Sequence, residues 1–117
     1  MRLGLGIGII ALALTGCSPA AHIAVTVRSP SDISFKVTTE KDDPGCIDHL
    51  VVRDAGGATR WEVTRQAGDK ACLQELTFPK APPGFTAQQN ATSLPEGGYQ
   101  VEVQSGVYRG VASFAIN

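Results

Sequence analysis

Three cysteines and two histidines are the side chains of this sequence best suited to covalent or metal chemistry. Cys17 stands alone, directly after an apolar run at the start of the chain, and Cys46 and Cys72 lie far downstream. In an exported domain of about 100 residues, two remaining thiols usually pair with each other. The sequence therefore predicts a disulfide between Cys46 and Cys72.

A metal site built from Cys46, His49 and Cys72 is the competing use of these residues. Zinc sites need four ligands, and the sequence offers no evident fourth. Side chains alternate along a strand, so Cys46 and His49 would also face opposite sides of it. The pattern favours the disulfide, and neither a metal nor another cofactor is predicted.

Catalysis is not indicated by the remaining polar residues. A nucleophilic triad needs a base held against a hydroxyl or thiol, and the sequence places no such partner near His49. The acidic residues Asp42, Asp43 and Asp48 fall at a turn, without the regular oxygen spacing of a calcium loop. We therefore expect a protein that is not an enzyme.

The charge balance argues against nucleic acid as a partner. The whole chain has 10 basic and 11 acidic side chains and a net charge of −1. Binding to a phosphate backbone is carried by an excess of lysine and arginine, which this chain lacks.

The first sixteen residues have the layout of a secretory signal peptide. Arg2 supplies a basic start, Leu3–Leu14 is an apolar run, and small residues follow. A membrane-spanning helix needs about 20 apolar residues, so this run is too short to be one. Residues 1–16 are therefore predicted to be removed.

Leu14-Thr15-Gly16-Cys17 resembles the lipobox of bacterial lipoproteins, in which an aliphatic residue and two small residues precede an invariant cysteine. The resemblance implies that Cys17 receives a diacylglyceryl group and, after cleavage, becomes an acylated N-terminus inserted in a membrane. Ser18, rather than aspartate, follows the cysteine. By the sorting rule of enterobacteria-like lipoproteins, this implies the outer membrane, facing the periplasm. Residues 17–22 would form a short tether, which keeps the domain close to the membrane.

The rest of the chain, residues 23–117, has the alternating pattern of β-strands. About seven short runs alternate apolar and polar side chains, and Gly, Pro and Asp separate them. Only residues 86–93 have room for a helical turn, and the Pro-rich residues 79–84 cannot pair inside a sheet. This spacing predicts an all-β domain, an antiparallel β-sandwich.

The segment from Leu94 to Val103 resembles the entry to the sixth strand of immunoglobulin and fibronectin type III domains. There a leucine, a turn and a tyrosine form a tyrosine corner, which assigns those roles to Leu94 and Tyr99. Transthyretin-like sandwiches contain a similar sequence pattern and remain the alternative fold. Trp61 is expected to anchor the core near the predicted Cys46–Cys72 bridge.

Two aromatic residues are candidate contacts for a partner. Phe85 ends a stretch stiffened by prolines, which would present it at little entropic cost. Tyr108 lies in a predicted hairpin. The alternative for both is that the ring folds back into the sandwich, where Phe85 would cover an open end.

These observations predict a membrane-anchored periplasmic lipoprotein that acts as a noncatalytic binding or structural module, possible partners being other envelope proteins. The alternative is an inhibitor or ligand-binding protein, directed at an envelope hydrolase or a small molecule, with the Pro-rich stretch as the inserted element.

Overall fold

Eight β-strands and no helix make up the described part of the chain, which in the computed structural model is residues 20–39, 45–89 and 91–117. The prediction of an all-β domain is confirmed, with one strand more than expected. The strands are β1 (Ala21–Ser29), β2 (Asp32–Thr39), β3 (His49–Asp54), β4 (Thr59–Arg65), β5 (Glu75–Phe78), β6 (Phe85–Gln89), β7 (Gly97–Ser105) and β8 (Tyr108–Ile116).

The strands form two antiparallel sheets that pack face to face. One sheet has the order β1-β2-β5, and the other has the order β6-β4-β3-β7-β8. Immunoglobulin-like sandwiches place the first, second and fifth strands together, opposite a sheet built on the third, sixth and seventh. Here β1, β2 and β5 are likewise together, and β3, β7 and β8 are neighbours in the other sheet, while β4 and β6 extend that second sheet. The prediction of an antiparallel β-sandwich is confirmed.

Strand β6 lies largely within residues 86–93, the one stretch in which the sequence left room for a helical turn. Phe85 and Ala87 alternate with the exposed Thr86 and Gln88, which is the period of a strand. The strand pairs antiparallel with β4, from Phe85 opposite Arg65 to Gln89 opposite Trp61. It therefore covers an edge of β4 whose backbone groups would otherwise lack partners.

The core between the sheets is built around Trp61, which is fully buried as expected. Its ring stacks on Phe35 at a centroid distance of 6.1 Å and meets the ring of Phe78 edge-on at 5.4 Å. Trp61 lies opposite Val52, toward the far end of β3 from Cys46. The aromatic cluster thus joins the two sheets away from the disulfide, and the expectation that Trp61 lies near the bridge was wrong, because the register of β4 on β3 places it opposite Val52.

The tyrosine corner is present. The Tyr99 hydroxyl donates a hydrogen bond to the carbonyl oxygen of Pro95 at 2.5 Å. Leu94 is buried, and its N–H donates to the carbonyl oxygen of Pro30 at 2.9 Å. Burial raises the pKa of the Tyr99 hydroxyl, which keeps it protonated as the donor. The corner fastens the start of β7 to the turn between β1 and β2.

Strand β1 begins at Ala21, two residues before the expected domain boundary at Ile23. Ala20 also forms a parallel bridge with Arg109 of β8. The next residue of β8, Gly110, lies so close to Ala21 that an added Cβ would overlap the Ala21 carbonyl oxygen. Glycine is therefore required there for the start of β1 to lie against β8.

The predicted signal peptide and the lipobox with Cys17 lie outside the described residues, as do Asp42 and Asp43. Within the described ranges, no helix is long and apolar enough to cross a membrane.

The hairpin between β3 and β4 is held by one side chain, Asp54. Its Oδ1 accepts hydrogen bonds from the N–H groups of Gly56 and Ala58, at 3.0 and 2.9 Å, and its Oδ2 accepts one from Arg60 Nε at 2.9 Å. The Ala58 N–H is the largest of the influences that lower the pKa of the Asp54 carboxyl, and Arg60 adds to it. The ionised carboxylate therefore stabilises this hairpin.

Acid should remove this stabilisation. Because the pKa of Asp54 is lower in the folded state, its contribution is present above the unfolded pKa of about 4 and is lost as the pH falls through the folded value. We expect Asp54→Asn to lower the free energy of unfolding at pH 7 and to lower it much less at pH 3. Urea denaturation at both pH values measures this difference.

Glu96→Gln is the matched control, since Glu96 is exposed and accepts no hydrogen bond from the other described residues. A loss for Asp54→Asn that is equal at pH 3 and pH 7 would show that ionisation of the carboxyl is irrelevant to the hairpin.

Candidate functional site

The disulfide lies at one end of the sandwich, the end at which β1 begins. We call this the N-terminal end; it comprises Ala20, residues 45–48, the loop 66–74 and the hairpin 105–108. The structure confirms the Cys46–Cys72 bridge, with a Cα–Cα distance of 4.7 Å. Cys72 is exposed and Cys46 is partly buried. The bridge joins the segment before β3 to the segment before β5, where Ile47 N–H also donates to the Leu73 carbonyl oxygen at 2.8 Å.

A cleft of about 260 Å³ opens beside the bridge at this end. It lies between the segment that leads into β3 and the hairpin that joins β7 to β8. Its lining residues are Gly45, Cys46, Asp48, Ser105, Gly106, Val107 and Tyr108.

The carboxylate of Asp48, which lines the cleft, already accepts hydrogen bonds from other groups of the protein. Its Oδ1 accepts hydrogen bonds from Arg65 Nη2 at 2.6 Å and Nε at 3.0 Å, and its Oδ2 accepts one from the Gly106 N–H at 2.7 Å. The residue therefore links the end of β4 to the tip of the β7–β8 hairpin. Its charge is balanced by the guanidinium.

Ser105, one of the two hydroxyl-bearing residues that line the cleft, is also engaged. It is buried and donates a hydrogen bond to the Cys46 carbonyl oxygen at 2.8 Å. Together with Asp48, it fixes the hairpin to the segment that carries the disulfide. The polar groups of the cleft thus hold the hairpin in place.

Phe85 and Tyr108 are buried, with 6% and 7% of their surface exposed. Neither ring can form the exposed contact surface expected of it, because both pack into the core. Phe85 folds back into the sandwich, which is the alternative given for it above, and covers its end. The exposed apolar residue of the hairpin is instead Val107, at 70%.

A second depression, of about 340 Å³, lies on the outer face of the five-stranded sheet, where it crosses β3, β7 and β8. His49 Nε2 lies 2.6 Å from Glu62 Oε2, and Arg53 forms an ion pair with Glu102. Arg109, at the edge, forms no ion pair with the described residues. These side chains are about one-third exposed or more, so each pair contributes at most about 1 kcal/mol.

The structure separates the residues of the competing metal site. Cys46 and Cys72 are oxidised to a disulfide, and His49 contacts Glu62 on the outer sheet face. No three His, Cys, Asp or Glu residues of the described ranges are grouped so that they could hold a metal ion.

The sequence alone did not reveal Val107, Arg109 or the Asp48–Arg65 pair. The alternation of β3 and β4 shows which side chains face outward, but the pairs depend on the register between strands. The sequence matches no protein-family model, and no curated protein is significantly similar to it.

Proposed function

We propose that this chain is a lipoprotein of the bacterial cell envelope whose β-sandwich, held to a membrane by lipid on Cys17, acts as a noncatalytic binding or structural module. The observation that carries the proposal is the lipobox-like sequence Leu14-Thr15-Gly16-Cys17, and the bridge between Ala20 and Arg109 adds how close the domain begins to it. Only Ser18 and Pro19 lie between Cys17 and Ala20, which is the first paired residue among those that the structure describes. An anchor on Cys17 would therefore hold the sandwich directly against the bilayer.

The chemistry around the cleft supports a noncatalytic role. The Ser105 hydroxyl donates its hydrogen bond to the Cys46 carbonyl oxygen, and the Asp48 carboxylate accepts hydrogen bonds from Arg65 and the Gly106 N–H. A general base must reach the proton that it abstracts, and a nucleophile must be exposed to its substrate. The Asp48 and Ser105 side chains serve the fold instead.

A second candidate function is inhibition of an envelope hydrolase, and the Pro-rich segment 79–84 favours it. Lys80, Ala81 and Pro83 are exposed along the edge of β5, and Lys80 N–H donates to the Thr77 carbonyl oxygen at 2.9 Å. A segment preordered in this way would lose little entropy on binding. Strong inhibition of a purified muralytic or proteolytic enzyme, abolished by Lys80→Glu, would favour this function over the first.

The membrane anchor is tested by the intact mass of the protein extracted from bacterial membranes. We expect a chain that begins at Cys17 and carries acyl groups, and we expect reduction of the Cys46–Cys72 bridge to add about two mass units. Cys17→Ser removes the thiol that accepts the lipid, so this variant should carry none. Two acyl chains give stable anchoring, so the wild-type protein should stay with the membrane in high salt.

A matched control has an ordinary secretory leader in place of residues 1–16 and serine at position 17. It should be released with the soluble periplasmic proteins. An unlipidated wild-type chain cut elsewhere would overturn the anchoring proposal.

A further inference from the structure

The β7–β8 hairpin lies at the end of the sandwich where the chain enters β1. Ala20 and Arg109 are bridged in parallel, so β1 and β8 run in the same direction away from that end. Val107 precedes Arg109 by two residues and sits at the tip of the hairpin. At about 3.3 Å per residue, the tip extends about 7 Å beyond Ala20, in the direction opposite to that in which β1 runs.

The tether between Cys17 and Ala20 is comparable in length to the distance by which the hairpin tip extends beyond Ala20. Three residues span at most about 11 Å when fully extended. A lipid-bearing Cys17 lies at the level of the lipid headgroups, a layer about 5–8 Å thick in each leaflet. The tip of the hairpin would then lie within about 4 Å of the level of Cys17 at full extension. It would be level with Cys17 for a tether of about 7 Å and would reach past Cys17 into the bilayer for a shorter one.

The side chains at the tip suit this environment. Val107 has the largest exposed fraction of the large hydrophobic residues in the described ranges. Arg109, exposed beside it, forms no ion pair with any described residue. An apolar side chain at the acyl boundary and a cation among phosphates are the two contacts that an interfacial segment makes. Arg65 neutralises Asp48, the carboxylate nearest the tip.

We infer that the β7–β8 hairpin is a membrane-contact element: Val107 inserts into the headgroup layer of the bilayer that holds Cys17, and Arg109 binds lipid phosphate. The inference rests on the proposed function, because it needs the lipid on Cys17. It adds an orientation, in which the strands stand upright on the membrane. The β3–β4 hairpin, at the opposite end of the sandwich, is then the part farthest from the lipid.

Tryptophan fluorescence in vesicles tests this orientation. The lipidated full chain carrying Val107→Trp is reconstituted into vesicles of phosphatidylethanolamine and phosphatidylglycerol, with or without bromine on the acyl chains near the headgroup. We expect brominated lipid to quench about half or more of the added emission, since interfacial side chains reach the acyl boundary. Trp61 is fully buried and gives a constant background.

Ala55→Trp, at an exposed position of the β3–β4 hairpin, is the matched control and should not be quenched. The unlipidated Val107→Trp chain with serine at position 17 should emit like an exposed tryptophan in the same vesicles. Equal quenching of lipidated Val107→Trp and Ala55→Trp would overturn the membrane contact. If the intact mass of the wild-type protein shows no lipid, the proposed anchor itself fails, and the two failures are thereby distinguished.

Discussion

Trp61→Ala should cost the domain about 3–5 kcal/mol of its free energy of unfolding, the range for truncating a buried aromatic side chain to alanine. Trp61 is fully buried between the sheets and contacts the rings of Phe35 and Phe78, so its loss leaves a cavity that two rigid strands cannot close. Domains of this size are stable by only about 5–15 kcal/mol. Urea denaturation followed by circular dichroism measures the loss.

Two variants calibrate this result. Val107→Ala removes an exposed side chain and should change the stability by less than about 0.5 kcal/mol. Trp61→Phe keeps a ring in the core and removes the indole N–H, which has no hydrogen-bond partner among the described residues. Because an unpaired buried donor is itself costly, Trp61→Phe should cost clearly less than Trp61→Ala. If Val107→Ala and Trp61→Ala lowered the free energy of unfolding equally, Trp61 would not be a major contributor to the stability of the core.

Much of the fold could be predicted because alternation reports directly on burial. Phe35 and Val37 in β2, and Val101 and Val103 in β7, alternate with polar neighbours, and all four are buried. The tyrosine corner was predictable from Leu94 and Tyr99, since it is a local motif. Strand β6 was missed because it has only five residues and directly follows a Pro-rich stretch.

The candidate site was less predictable because it depends on contacts between distant segments. Phe85 and Tyr108 both flank turns, and a turn does not show whether the ring after it faces solvent or the core. The arrangement that fixes the hairpin, in which Asp48 contacts both Arg65 and Gly106, joins three separate parts of the chain. Such contacts follow only once the register of the sheet is known.

The strand order carries a further consequence for where a partner would bind. In antibody variable domains, the loops after the second and sixth strands help to form the binding site at one end of the sandwich. Here residues 45–48, the described part of the connection between β2 and β3, and the hairpin between β7 and β8 lie at the N-terminal end. An anchor on Cys17 would turn that end to the membrane. Partner proteins would then meet the outer sheet faces and the opposite loops, which is where cross-linkers are best placed.

Removing the Cys46–Cys72 bridge should be the other large change in stability. The bridge spans 26 residues of sequence. Closing a loop of this length restricts the unfolded chain by about 3.5 kcal/mol on the loop-entropy account. We expect the double variant Cys46→Ala/Cys72→Ala to lose stability of that order in urea denaturation, while its far-ultraviolet circular dichroism still shows the two sheets.

The exposure of Cys72 makes a second form of the same experiment possible. An accessible sulfur can be attacked by an external thiolate while the protein is still folded. Dithiothreitol should therefore reduce the wild-type protein without prior unfolding and lower its stability to that of the double variant. If the reduced protein is as stable as the oxidised one, the bridge does not constrain the unfolded chain. Stability would then rest on the packing around Trp61 and the hydrogen bonds that hold residues 45–48 to the neighbouring loops.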